Sequence, residues 1–100
     1  MQIKIENLQE NPANLLRRAG YVFQKNVENE MSFIRPLALA GYPRFHMYAH
    51  IENTFTLVIN IHLDQKRETY GDNTRHNGEY ENEGALKTEI ERILPILQSA

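Results

Sequence analysis

The sequence predicts an α+β fold: a four-stranded antiparallel sheet built from two hairpins, covered on one face by a short N-terminal helix and a longer C-terminal helix. Three observations lead there. Apolar and polar residues alternate through the middle of the chain, the period of a half-buried antiparallel strand. Apolar residues recur every three or four positions near the C-terminus, the period of one helix face. A helix-opening pair, Asn11-Pro12, and a helix-stopping Gly20 bracket a short segment near the start.

At the beginning of the chain Ile3 and Ile5 alternate with Gln2 and Lys4, so residues 1–8 read as a short edge strand or an extended arm beside the sheet. A helix is expected over residues 12–19. Asn11 can accept from a free backbone N–H, and Pro12 has no N–H to leave unpaired. Leu15, Leu16 and Ala19 supply a core face, and Arg17 and Arg18 complement the negative end of the helix dipole. So short a helix does not hold in water alone and must dock. The first hairpin alternates Tyr21 and Phe23 with Val22 and Gln24, then Met31, Phe33 and Arg35 with Ser32 and Ile34, around a corner at Val27-Glu28-Asn29. Pro36 interrupts the ladder, and residues 37–41 are expected as an apolar connection lying against the core.

The second hairpin is expected over residues 43–51 and 55–64. An odd-length loop centred on Asn53 pairs Phe45 with Ile61, Met47 with Ile59, Ala49 with Leu57 and Ile51 with Phe55, giving one apolar face. A two-residue turn at Asn53-Thr54 would oppose His46 to Ile61 and mix the faces, so it is rejected. Residues 64–81 carry almost no aliphatic side chain and read as a long loop with a small turn at Asn77-Gly78. Long loops in small domains are often functional. A closing helix is expected over residues 82–97, with Leu86, Ile90, Ile93, Leu94 and Leu97 on its buried face and a kink or end near Leu94 imposed by Pro95.

Composition bounds the function. One hundred residues with 41% hydrophobic content suit a single domain, and the absence of cysteine excludes a thiolate metal centre. A net charge of −2 disfavours nucleic acid as the main partner. No apolar run reaches the length of a membrane span, and no basic start precedes a hydrophobic segment, so the expected location is cytoplasmic.

The register that assembles the apolar face also assembles its opposite. Arg44 is expected across from His62, His46 across from Asn60, Tyr48 from Val58 and His50 from Thr56, with His46 diagonal to His62 and Arg44 diagonal to Asp64. The following loop adds Lys66, Arg67, Tyr70, His76, Glu79 and Tyr80. One reading is a binding face for a polar or anionic ligand or protein partner: Arg44, Lys66 and Arg67 attract it, while His46, His62, Asn60 and Tyr48 orient it beside Tyr70, His76 and Glu79. Its rival is a small hydrolase or phosphoesterase-like enzyme in which His46, His62, Asp64 and His76 ligate a divalent metal or carry protons, since imidazoles and a carboxylate do both near neutral pH. Adjacent-strand histidines are reminiscent of the two-histidine phosphoesterases. However, His46-Met47-Tyr48 and His62-Leu63-Asp64 lack that family's His-x-Ser/Thr pattern, and no residue is carried over. The plainest reading is a surface ion pair between Arg44 and Asp64, worth less than about 1 kcal/mol, with His50 a solvated residue near the hairpin tip. A homo-oligomer joined through residues 37–41 or an uncovered sheet edge is a further expectation.

Three stretches together, Arg17-Arg18-Ala19-Gly20-Tyr21, Tyr42-Pro43-Arg44-Phe45-His46, and His62-Leu63-Asp64-Gln65-Lys66 followed by His76 and Gly78-Glu79-Tyr80, resemble a family of small uncharacterised proteins from uncultured bacteria with reduced genomes. The resemblance spans nearly the whole chain. It implies a stand-alone domain and brings no activity, ligand or fold with it.

Overall fold

A computed structural model describes residues 1–65 and 73–98, with side chains described outside residues 73–82. Seven elements follow in chain order: β1 (Gln2–Ile5), α1 (Pro12–Arg18), β2 (Val22–Val27), β3 (Glu30–Pro36), β4 (Arg44–Glu52), β5 (Thr56–Asp64) and α2 (Asn73–Gln98). The α+β class and the antiparallel sheet are as expected, but the sheet has five strands, in the order β1-β5-β4-β3-β2. The additional strand is β1, whose Ile3 and Ile5 stand opposite Ile59 and Leu57. Two apolar side chains thereby join the core face, and β1 covers the backbone groups of β5 that a four-stranded sheet would leave unpaired. The amino group of Met1 donates to the Ile61 carbonyl at 3.0 Å, clamping the chain start.

The start of α1 is capped as its sequence dictates: the Asn11 side-chain oxygen accepts from the N–H groups of Ala13 and Asn14 at 2.8 and 3.3 Å. Gly20, at φ +98, lets the chain leave the helix in a conformation that L side chains rarely adopt. Leu15, Leu16 and Ala19 then pack with Leu86, Ile93 and Leu97 of α2 against Phe33, Phe45, Met47, Ala49, Leu57, Ile59 and Ile61 of the sheet. Both helices therefore serve one face. The alternate residues of β3, β4 and β5 project from the other.

Four further expectations need correction. Residues 37–40 do not lie on the core: Leu37 is 45% exposed and Leu39 fully so. Their backbone is satisfied by a local turn, Leu37 N–H to Pro43 O and Gly41 N–H to Ala38 O, so nothing obliges them to pack. The β4–β5 register is displaced by two residues: Phe45 faces Leu63, Met47 faces Ile61, Ala49 faces Ile59, and Glu52 against Thr56 closes a three-residue loop. Asn53 and Thr54 both adopt positive φ there, and Phe55, expected opposite Ile51, sits on the tip 60% exposed. A shift of two preserves which side chains share a face, so the apolar face survives.

The third correction concerns residues 64–81. Helix α2 begins at Asn73, so the backbone passes helically through Asn77-Gly78 where a turn was expected. Once the apolar half of a helix is docked, each added residue gains one hydrogen bond without needing an apolar side chain of its own. The fourth is the C-terminal end: α2 runs through Pro95 to Gln98 rather than breaking near Leu94. Proline removes one hydrogen bond to the carbonyl of Glu91, an exposed residue, while Leu97 beyond it is buried in the core. Among the described residues, no helix is long and apolar enough to cross a membrane.

Candidate metal centre on the open face

The two-residue displacement tightens the polar face. His46 stands directly across from His62 rather than from Asn60, Arg44 across from Asp64 rather than from His62, and Tyr48 across from Asn60 rather than from Val58. The His46 and His62 ring centroids are 4.9 Å apart, and Tyr48 packs 4.6 Å from His46 and 6.2 Å from His62. Asp64, two residues beyond His62 and so on the same face, places Oδ2 3.4 Å from His46 Nδ1 and Oδ1 3.3 Å from His62 Nε2. One ligating atom from each of His46, His62 and Asp64 lies within 4.8 Å of the others. Polar contact with His46 first, and with His62 second, holds the Asp64 carboxyl well below the usual carboxylate range.

Two residues that the sequence reading passed over orient this cluster. Ser32 is fully buried on the polar side of β3, and its hydroxyl donates to Gln24 Oε1 at 3.0 Å while Oγ lies 2.8 Å from His46 Nε2. With its own proton committed to Gln24, Ser32 accepts from Nε2–H. A neutral His46 then carries its lone pair on Nδ1, facing a carboxylate oxygen that also only accepts. Two acceptors at that separation are stable with a positive charge between them, either a proton on Nδ1 or a metal ion. A ligating histidine whose other ring N–H is anchored by a neighbour is the usual arrangement of a metal site. Gln24 reaches Ser32 from a bulge in β2, where the register shifts between Phe23 and Lys25. Strand alternation alone does not reveal it.

Arg44 borders the cluster. Its Nε lies 3.5 Å from Asp64 Oδ2, and that buried N–H has no hydrogen-bond acceptor among the described residues. The guanidinium carbon sits 4.4 Å over the Tyr42 ring. Asn60 is on the same face but contacts Gln2 at 3.5 Å. His50, across from Val58, is engaged by Glu30 at 3.0 Å and Glu52 at 3.5 Å. Lys66, Arg67 and Tyr70 lie outside the described residues; the α2 backbone passes through His76 and Glu79, whose side chains are likewise outside them.

A second polar cluster, also absent from the sequence reading, lies on the helix-covered side. Glu89 is 4% exposed and accepts from the Tyr21 hydroxyl at 2.6 Å, from Arg92 Nε and Nη2 at 3.0 and 2.9 Å, and from Arg35 Nη1 at 3.3 Å. Arg92 also donates to the Ala19 carbonyl at 2.7 Å, joining α2 to the end of α1. Burial raises the Glu89 carboxyl, but hydrogen bonds from Arg92 and Tyr21 and the charges of Arg35 and Arg92 outweigh it and leave the group below its ordinary value. Burial, and then the Glu89 hydrogen bond, push the Tyr21 phenol far up. The signal available in the sequence was a carboxylate at position 89, on the same stripe as Leu86 and Ile93.

Comparison of the chain with protein-family models, with curated proteins and with solved structures gives no match in any of the three.

Proposed function

We propose that this protein is a binding module whose open sheet face takes a divalent transition-metal ion through His46 Nδ1, His62 Nε2 and one oxygen of Asp64. The observation that carries the reading is the approach of those three groups to within 4.8 Å of one another. Atoms arranged tetrahedrally at about 2.0 to 2.1 Å from one ion stand about 3.3 Å apart. Each nitrogen has an Asp64 oxygen at that scale, Oδ2 3.4 Å from His46 Nδ1 and Oδ1 3.3 Å from His62 Nε2, so the carboxylate turns to present one of the two to the ion. Two imidazoles and one carboxylate suit zinc, or ferrous iron of the two-histidine, one-carboxylate kind, and leave coordination positions for an exchangeable ligand. Such a centre is the minimum from which metal-assisted hydrolysis can be built, because a bound water becomes acidic on the ion.

Calorimetric titration of the purified, tag-free chain with zinc, and optical titration with cobalt(II), tests the reading. One ion per chain is expected, with affinity falling at least about a hundredfold in Asp64→Asn and in His62→Ala. Absence of a stoichiometric site, or wild-type affinity in both variants, overturns it.

A further inference from the structure

We infer that the ligand completing this centre is a phosphate-class dianion held jointly by the metal ion and Arg44; the inference rests on the metal reading above. Charge is the first argument. A divalent cation, the Asp64 carboxylate and the Arg44 guanidinium sum to +2 with both imidazoles neutral. Among the described residues, the other carboxylates on this face, Glu30 and Glu52, lie against His50 at 3.0 and 3.5 Å, and Glu52 also against Lys4 at 3.8 Å. A monoanion leaves half of that charge; a dianion removes it.

The unsatisfied donor is the second. Among the described residues, Arg44 Nε–H is buried without an acceptor, although it lies only 3.5 Å from Asp64 Oδ2. A buried, unpaired N–H on a cation is costly and rare in folded proteins. A metal ion that draws on the same carboxylate worsens the deficit, since Arg44 then competes with it for Asp64. The Arg44 side chain as a whole is 19% exposed, so an anion on the metal that the guanidinium meets relieves that competition. Arg44 is also held for the task, with Tyr42 against its guanidinium at 4.4 Å, and its planar fork of donors matches the geometry of phosphate oxygens. Arg44 and the metal thus form two halves of one anion site, neither sufficient alone.

Coupling between the two ligands provides the test. Cobalt(II) is titrated into the full chain in chloride buffer, then with inorganic phosphate, then with acetate. Phosphate should tighten cobalt binding about tenfold or more and acetate much less, while cobalt should tighten phosphate binding by the same factor, as linkage requires. In Arg44→Gln, cobalt alone should bind as in the wild type or several-fold tighter, because a neighbouring positive charge is gone, and the phosphate effect should disappear. Arg44→Lys should restore part of it. Metal binding in each variant reports that the face is still folded. One-to-one cobalt binding that ignores phosphate overturns the inference and leaves the metal reading standing, as does a phosphate effect that survives in Arg44→Gln. Equal tightening by acetate refutes the dianion. Failure of the wild type to bind cobalt under any condition removes both.

Discussion

Two carboxylates in this molecule are each surrounded by cationic or potentially cationic groups, yet on opposite faces of the sheet they are built differently. Glu89, under the helices, is saturated: four donor contacts at 2.6 to 3.3 Å come from Tyr21, Arg35 and Arg92. Asp64, on the open face, meets His46, His62 and Arg44 only at 3.3 to 3.5 Å, beyond the usual range of a good hydrogen bond, and among the described residues the Arg44 Nε–H is left unpaired. A saturated cluster has no valence left for a ligand and serves to join elements, here α1, β3 and α2. On the proposed reading, a loose cluster with an orphan donor is arranged around a metal ion. The difference lies in contact length and in the number of unmet donors rather than in residue type.

The largest test of this contrast is Glu89→Ala. It strands two guanidinium groups and a buried phenol, and should destabilise folding by about 3 kcal/mol, the lower end for a broken buried ion pair, because Arg35 and Arg92 can turn partly to water. Asp64→Asn should cost less than about 1 kcal/mol in a urea titration, since the Asp64 carboxylate is 29% exposed against 4% for Glu89 and its contacts are longer. Equal losses at the two sites would erase the distinction between a joining cluster and a binding one. Next in size is Ser32→Ala. Removing the acceptor of His46 Nε2–H frees the ring to rotate and change tautomer, and metal affinity should fall about 10- to 100-fold, as for other second neighbours of a metal. Unchanged affinity in that variant would mean that Ser32 packs the strand without orienting the ligand.

Much of this architecture is legible in the sequence, and the parts that are not share a cause. Period-two alternation determines which side chains share a face, so His46, His62 and Asp64 emerge together from sequence reasoning. It cannot distinguish registers that differ by two, because Leu63, Ile61, Ile59 and Leu57 are nearly interchangeable partners for Phe45, Met47 and Ala49. The left-handed conformations of Asn53 and Thr54 close the loop one residue later, and β-branched Thr54 gives no hint of that. Strand β1 has clear alternation, but its partner on β5 lies nearly sixty positions away, as Gln2 against Asn60 shows. The same distance hides the Glu89 cluster, since Tyr21 and Glu89 are 68 residues apart. Ser32 and Gln24 were invisible for a local reason: a bulge shifts Gln24 out of strict alternation and turns it toward Ser32.

A smaller effect separates the phenol from the guanidinium groups around Glu89. Tyr21→Phe removes one donor while both arginines remain, so it should cost about 1.5 kcal/mol, the lower end for a single hydrogen bond to a charged group and below Glu89→Ala. A loss as large as that of Glu89→Ala would show that the 2.6 Å bond from Tyr21, rather than the ion pairs, holds the cluster together.

Acid provides the finest comparison, because both carboxylates are depressed in the folded state, Glu89 chiefly by Arg92 and Tyr21 working against burial, Asp64 chiefly by His46 and His62. The unfolded chain takes up protons at ordinary carboxylate values near pH 4 while the folded chain resists them. Stability from either group is therefore fully present above that range and drains away as pH falls toward each folded value. In urea titrations from about pH 6 to pH 3, the wild type should lose stability toward acid, and Glu89→Gln and Asp64→Asn should each lose less. Saturating zinc should steepen the acid loss in the wild type, since protons then compete with the ion for the same ligands, and should leave the slope of Asp64→Asn unchanged. A zinc-independent slope in the wild type would place Asp64 beside Glu89 as a purely structural anchor and would dissolve the contrast between the two faces.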